Sequence, residues 1–399
     1  EAMNGGILVI TGGPGTGKTT IVRAIIHLLS MGHLRIRCAA PTGRAAKRIE
    51  ETTGMEATTI HRLLKFQPKD GKFQYNEFNP LPLDLLIVDE TSMVDVILGY
   101  HLMKAIPLGA SLIFVGDADQ LPSVGPGNFL QDLIQCGIIP VIRLNEIFRQ
   151  ARMSLIVVNS HRIIHGEFPV IPEPEKSRAS DFFFIEKQEP EAALEAIVRL
   201  VKERIPARFH FNPVRDIQVI TPMYRSLLGA LNLNRTLQET LNPGTDCISR
   251  GGLSLRLGDK VMQVKNNYDK DVYNGDLGIV ANFDREFETV RVRFDSRIVS
   301  YEPDELDELV LAYAITVHKS QGSEYPAVVI PVVTQHYIML KRNLLYTAVT
   351  RGKRLVCLVG TKKALAIAVR EAGTATRNTA LCRWLIPKIE GTNTGELPF

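Results

Sequence analysis

Four glycines and a proline stand ahead of a lysine and two threonines in "TGGPGTGKTT", Thr11 to Thr20. So many glycines add little to a fold, because each loses more backbone freedom than any other residue. The flanks say what the loop is for. "ILVI" before it, Ile7 to Ile10, reads as a short buried strand. "KTTIVRAIIHLL" after it sets Ile21, Ala24, Ile25, Leu28 and Leu29 on one expected helical face. Strand, G-x-x-x-x-G-K-T from Gly12 to Thr19, then helix is the pattern of a phosphate-binding loop. Gly13, Pro14, Gly15, Thr16, Gly17 and Thr20 belong to its cradle of backbone N–H groups. Lys18 reaches the terminal phosphates of a triphosphate, and the Thr19 hydroxyl ligates Mg²⁺.

Such a loop needs an acid at the end of a neighbouring strand. "LDLLIVDETSM" provides it: Leu85 to Val88 read as a strand, with Asp89 placed to hold Mg²⁺ and Glu90 to deprotonate an attacking water. An acidic pair there also suits a helix cap. A third unit, "SLIFVGDADQLPSVGPG", has a strand over Ile113 to Val115 followed by Gly116, Asp117 and Gln120. A glutamine at such an edge can sense a γ-phosphate. Repeated strand-then-site units predict an α/β fold with a doubly wound parallel sheet.

The 399 residues allow two domains, and the net charge of +4 is too mild to identify a polyanionic partner by itself. Basic residues cluster in "GRAAKR", "HKSQ" and "TRGKR". Cys38, Cys136, Cys247, Cys357 and Cys382 have no close pair, so they read as small hydrophobes in a reducing cytoplasm rather than as a zinc site or disulfide framework. No apolar run is long enough to span a bilayer, and no membrane partner is expected.

"GGPGTGKTT", "APTGRAAKR", "TIHRLL", "IVDETSM", "GDADQLPSVGPG", "LNEIFRQ", "TVHKSQGSEY" and "LYTAVTRGK" follow one another from Ile7 to about Val359. In that order they resemble the motifs of superfamily 1 DNA helicases, closest to the RecD-like and TraA-like branch. The resemblance implies two RecA-like motor domains, residues 1–145 and 146–399, and ATP with Mg²⁺ as cofactors. It implies a monomeric motor that moves 5′ to 3′ on single-stranded DNA and opens duplex junctions, in DNA repair and recombination. Arg149 and Arg351 resemble the arginines that reach the γ-phosphate from the second motor domain, and Phe148 a ring that stacks on adenine. Pro41, Thr42, Arg44, Thr59, Thr316, His318, Lys319 and Gln321 match the positions that hold single-stranded DNA. Tyr224 and Arg225 are plausible nucleotide or DNA contacts. His61 stays open between a DNA contact and an interior histidine.

Two stretches break the strand–helix rhythm. Lys65 to Pro82 carries the Asp70-Gly71 turn signal of a hairpin, which in this branch is a pin that splits the duplex. Residues 253–309 alternate (Val290, Val292, Phe294) and turn at Asn274-Gly275, resembling the branch's SH3-like β-barrel insertion. The adenine-reading glutamine usual ahead of the loop has no counterpart, and the chain reads as a piece of a longer protein. No nuclease constellation or relaxase-type histidine cluster occurs. Two rivals to a helicase are a translocase or remodeller that does not unwind, and a nucleotide-gated DNA-binding accessory subunit. A small-molecule kinase or GTPase would leave the later motifs without purpose.

Overall fold

Strands covered on both faces of a parallel sheet need almost unbroken apolar sequence, and this chain contains two sets of them. The computed structural model describes residues 6–148, 151–172, 180–250, 252–284, 286–295, 297–372, 377 and 379–386. The first set forms a six-stranded sheet in the order Ala57–Thr59, Ile36–Ala40, Leu85–Val88, Ser111–Gly116, Ile7–Gly12, Val141–Leu144. All its pairings are parallel. Alternate residues of one strand enter different cores: Leu8 and Ile10 lie on one face, Val9 on the other. That is double winding, with helices on both sides.

Helix α1 (Lys18–Ser30) and helix α2 (Gly43–Thr53) cover the Leu8 face. The stripe that α1 buries differs from the expected one. Val22 and Ile26 are buried, Ile21, Ile25 and Leu29 flank them, and Ala24 and Leu28 face solvent. Hydrophobic spacing alone does not decide which of two overlapping apolar stripes meets the sheet.

The second set forms a five-stranded parallel sheet in the order Ala314–Thr316, Ile217–Thr221, Tyr325–Val332, Gly352–Gly360, Phe182–Glu186. Val328 and Ile330 point into one core, Ala327 and Val329 into the other. Helices Leu155–Ile164 and Arg342–Val349 cover the first of these faces, Pro190–Arg199 and Ala230–Leu241 the second. The α/β expectation with two RecA-like sheets is met. The segment from Arg377 to Leu385 leaves this unit. Arg377 Nη1 donates to Gly125 O at 2.7 Å, Thr379 Oγ1 to Asp132 Oδ2 at 2.6 Å, and Leu381 and Leu385 pack in the first unit's core.

Between two strands of the second sheet lies an antiparallel sheet in the order Arg297–Tyr301, Thr289–Phe294, Leu277–Asp284, Lys260–Gln263, Leu309–Leu311. It has its own core of Val261, Val280, Val290, Val292, Phe294 and Tyr301. A hairpin, Cys247–Arg250 with Leu253–Arg256, precedes it, so the insertion begins ahead of residue 253 and ends past 309. Asp259 docks it: its buried carboxylate accepts from Tyr313 Oη at 2.9 Å, Gln238 Nε2 at 2.5 Å, Asn242 Nδ2 at 2.7 Å and the Arg256 N–H at 2.7 Å. The expected hairpin within 65–82 is short, Phe66–Gln67 against Lys72–Phe73. The cysteines are all unpaired. Among the described residues, no helix is long and apolar enough to cross a membrane.

Lys260, buried where the insertion meets the second sheet, donates to Ile217 O at 3.1 Å. Burial, helped by the Arg44 charge and opposed by Asp216, lowers its ammonium from 10.5 to about 7. The unfolded chain therefore holds a proton that the folded chain lacks between those values, and this lysine's contribution to stability falls as pH drops from 10.5 to about 7. Lys260→Met removes that component, while the orphaned Ile217 carbonyl is a constant offset. Urea midpoints at pH 10 and pH 7 should move in the variant's favour at the lower pH. A pH-independent difference would show Lys260 is charged in the fold.

Candidate active site

Gly15 (φ 73°) and Gly17 (φ 84°) both sit in left-handed conformations that a side chain would strain. Gly17 caps α1, whose first residue is Lys18, so the loop's N–H groups and the helix's partial positive charge coincide. Lys18 Nζ donates to the Gly12 carbonyl and to that of Gly13 at 3.0 Å. Thr16 Oγ1 donates to Gly13 O at 2.8 Å. Phosphate oxygens would compete for the same lysine protons. Thr19 is half-buried beside the loop, and Thr20 is exposed.

Strand Leu85–Val88 ends, as expected, at Asp89 and Glu90. Glu90 is left-handed (φ 51°, ψ 38°), a conformation that costs a non-glycine residue about 1–3 kcal/mol unless neighbours fix it. Its N–H donates to Asp89 Oδ1 at 2.7 Å, and its carbonyl accepts from the Met93 N–H at 3.0 Å. Burial and then the Glu90 charge raise the Asp89 carboxyl to about 6, against the pull of the Glu90 N–H, Arg48 and Lys18. Two carboxylates short of positive charge suit a divalent cation. Among the described residues no group of three or more His, Cys, Asp or Glu forms a metal cage.

The second unit closes over this loop. A Cβ at Gly13 would lie 3.1 Å from both Tyr346 Oη and His161 Cε1, and one at Gly15 would lie 2.8 Å from Ala151 Cβ. His161 Nε2 is 3.3 Å from Pro14 O. The turn after strand Ser111–Gly116 is bonded to the second unit at three points. Tyr346 Oη donates to Asp117 Oδ2 at 2.7 Å, the Leu121 N–H to Thr347 Oγ1 at 2.9 Å, and Gln321 Nε2 to Leu121 O at 3.0 Å. Gln120 Nε2 joins this network at Asp117 Oδ2, 3.0 Å away. Burial and Asp117 together raise the Tyr346 phenol well above its ordinary value, so it stays a donor.

Arg351 is 2% exposed and donates within its own unit, to Thr347 O at 3.1 Å, Ser323 O at 3.2 Å and Thr350 Oγ1 at 3.2 Å. Arg149 lies outside the described residues. Phe148 does not stand apart as a base platform. Its N–H donates to Gly15 O at 3.2 Å, and a Cβ at Gly17 would lie 2.2 Å from its ring. Stacking on adenine requires that ring to swing off the phosphate loop.

The candidate DNA residues divide into two groups. Tyr224, Arg225, Thr316 and Lys319 line a cleft of about 1530 Å³ between the second sheet and the insertion. Lys319 Nζ there donates to Asn274 Oδ1 at 2.8 Å, and the His318 ring is exposed nearby. The others serve the fold in this structure. Thr42 Oγ1 caps α2 through the Ala45 N–H at 3.3 Å, and Thr59 Oγ1 accepts from the Arg62 N–H at 3.2 Å. Arg44 crosses to the second unit, donating to Ser323 Oγ at 2.8 Å and Tyr325 Oη at 3.2 Å. Gln321 is buried by its bond to Leu121. His61 is half-buried, with its ring 5.7 Å from Phe66 and 5.8 Å from Phe73 and its basicity lowered by burial. Pro41 is half-buried just ahead of the Thr42 cap.

Comparison with known proteins agrees with this layout. Residues 1–126 match a family described as AAA domain, 311–359 a UvrD-like helicase C-terminal domain, and 233–294 an ATP-dependent RecD-like DNA helicase SH3 domain. The RecBCD enzyme subunit RecD of Mycobacterium tuberculosis is 32% identical over 405 residues, covering 92% of this chain and 69% of that protein. This chain belongs to the RecD-like superfamily 1 helicases. The ATP-dependent RecD2 DNA helicase of Deinococcus radiodurans is 38% identical over 375 residues, or 94% of this RecD-like chain. The chain spans 50% of that relative's length. The fold also resembles a Pif1 helicase from Bacteroides, solved with ADP-AlF3 and ssDNA, at TM-score 0.53 and 21% identity over 90% of this chain and 89% of that one.

Tyr346, Thr347, Arg48 and Glu324 lie within "LYTAVT", "GRAAKR" and "SQGSEY", but those patterns assign them no task, and no motif contains His161. Their partners lie across the seam, hundreds of positions away for Tyr346 and Thr347, where no spacing rule reaches. Tyr346→Phe removes a bond to a buried carboxylate, a loss of about 1.5–3 kcal/mol for hydrogen bonds to charged groups. The urea midpoint should fall accordingly. An unchanged midpoint would mean the phenol–Asp117 contact does not hold the seam.

Proposed function

We propose that this RecD-like chain hydrolyses ATP with Mg²⁺ to move 5′ to 3′ along single-stranded DNA and to open duplex ahead of it. The carrying observation is that the phosphate loop, the acidic pair and the Asp117–Leu121 turn all belong to one unit, while Tyr346 and His161 of the other unit reach that loop. A triphosphate on Gly13 to Lys18 therefore lies at the boundary that must open and close.

Lys18 would exchange its loop carbonyls for β- and γ-phosphate oxygens. Thr19 and Asp89 would hold Mg²⁺, which supplies positive charge against the phosphate oxygens. Glu90 takes a proton from water as the water oxygen bonds to the γ-phosphorus. The bond from that phosphorus to the β–γ bridging oxygen breaks, and its electrons leave with ADP. Arg351 and Arg149 would stabilise the spread charge from the second unit. For Arg351 this means giving up acceptors such as Thr347 O when nucleotide is present. A nucleotide drives the motion only through its differential affinity for the closed arrangement, and contacts to the γ-phosphate supply that difference. DNA runs through the Tyr224–Lys319 cleft, gripped without sequence readout. The relatives named helicases, and the ssDNA in the Bacteroides Pif1 structure, support this choice of ligand.

Glu90→Gln should retain nucleotide affinity while DNA-stimulated phosphate release falls about 10²–10⁴-fold, the usual scale for a lost general base. Turnover within tenfold of wild type would remove Glu90 from that role. Duplexes with a 5′ or a 3′ tail, compared in strand-separation assays, test polarity. Opening of the 3′-tailed duplex alone would refute the direction.

The hairpin is rooted by ring contacts, Phe66 to Phe73 at 5.0 Å and Phe73 to His101 at 4.8 Å. Its exposed tip can therefore meet a fork without disturbing its base. Deleting Pro68 to Gly71 should reduce unwinding at least several-fold and leave streptavidin displacement from single strands unchanged. Equal loss of both would assign the hairpin to translocation instead.

A further inference from the structure

We propose that Arg48 is a positioning residue that links the hydrolytic carboxylate of the first unit to Glu324 of the second, so that Glu90 is correctly aimed only when the two units are together. This rests on the reading of Glu90 given above and extends it to a residue pair with no assigned task.

Arg48 lies on α2 with one guanidinium nitrogen bonded to Glu324 and another within ion-pair range of Glu90. Nη2 is 2.5 Å from Glu324 Oε1, and Nη1 is 3.9 Å from Glu90 Oε1. The other oxygen of Glu324 is held by Lys353 Nζ at 3.3 Å. Glu324 thus sits between two cations, one from each unit, and Arg48 is the cation that reaches onward to Glu90. The Glu90 side chain is 13% exposed, so little water competes for it.

The backbone around Glu324 explains why this contact reports on the seam. Gly322, left-handed at φ 70°, rests against α2 and the turn that follows Glu90. A Cβ there would lie 3.0 Å from Thr42 Oγ1, 3.6 Å from Ala45 Cβ and 3.6 Å from Met93 Sδ. Ser323 accepts from Arg44, one turn ahead of Arg48 on the same helix. One short segment of the second unit therefore touches the helix that carries Arg48 and the turn that carries Glu90. Its other end leads into strand Tyr325–Val332. Separation of the units withdraws Glu324, and the guanidinium loses its shorter contact.

A rigid planar fork is suited to this bridging task, since it fixes the angle between its two partners as well as the distance. Glu324 anchors the fork, and Glu90 takes its orientation from the nitrogen that remains. Lys18, Thr19 and the loop N–H groups are not part of this chain of contacts, so nucleotide affinity does not depend on it.

The test is a set of variants measured for DNA-stimulated ATP hydrolysis and for binding of a fluorescent nonhydrolysable analogue. Arg48→Met and Glu324→Gln should each lower kcat about tenfold, with KM for ATP and analogue affinity moving less than about threefold. The double variant should be no slower than Arg48→Met alone. Arg48→Lys, which keeps the charge but not the fork, should recover part of the loss. In a Glu90→Gln background, Arg48→Met should change nothing further. Multiplying losses in the double variant, a further drop in that background, or wild-type kcat in Arg48→Met would each overturn the proposal. If wild-type protein shows no DNA-stimulated hydrolysis, the motor reading itself fails. Normal stimulation with indifferent Arg48 variants sinks this inference alone.

Discussion

The arrangement depends on a polar seam between two α/β units, concentrated on the turn from Asp117 to Leu121. Each unit has apolar cores on both faces of its own sheet. At the turn, Tyr346 and Gln321 donate across the seam, Thr347 accepts from the Leu121 N–H, and the Leu121 side chain packs in the second unit's core. That difference in chemistry has a mechanical meaning. An apolar core loses roughly 25 cal/mol for every Å² it re-exposes. A hydrogen bond exchanged for one to water changes the balance by about 0.5–1.5 kcal/mol, or about 1.5–3 kcal/mol where a charged group such as Asp117 accepts. The polar contacts are therefore the part of the seam that a ligand binding across it can rearrange, while Leu121, Leu381 and Leu385 add apolar contact between the units.

The same turn connects nucleotide to DNA. Asp117 begins it, beside the strand that pairs with the phosphate-loop strand, and Leu121 ends it against Gln321. From Gln321 the chain runs back through Lys319 to Thr316 in the cleft. A change at Asp117 thus reaches the proposed DNA cleft through the Asp117–Leu121 turn, the Gln321–Leu121 bond and the backbone from Gln321 back to Thr316. Thr42 and Thr59, which match DNA-contact positions, cap helices in this structure, and Gln321 cross-links the units, because buried polar groups must find partners. Tyr224 and Arg225 line the cleft, where Lys319 is held by Asn274.

The β insertion follows a different rule. Asp259 ties it to the second unit through three donors, Tyr313, Gln238 and Asn242. It touches the first unit mainly through exposed charges. Arg62 donates to Asp271 Oδ1 at 3.0 Å and to Tyr273 Oη at 2.9 Å, and Lys47 pairs with Asp295. Exposed ion pairs contribute about 0–1 kcal/mol each, so the insertion rides with the second unit and holds the first one lightly. The insertion can therefore shift against the first unit without unfolding anything.

Local pattern determined the parts of this molecule that local physics controls. The phosphate loop needs glycines at fixed places, strands buried on both faces need apolar runs, and the acidic pair must end a strand; all three were legible at Gly12–Thr19, Leu85–Val88 and Asp89–Glu90. So was the alternation that marks the β insertion. Tertiary structure decided which stripe of α1 faces the sheet, why Arg44 and Gln321 turn inward, and that Tyr346, Arg48 and Glu324 meet the site. Those outcomes depend on groups far apart in sequence competing for the same burial and the same hydrogen-bond partners. Spacing along one segment carries no record of that competition.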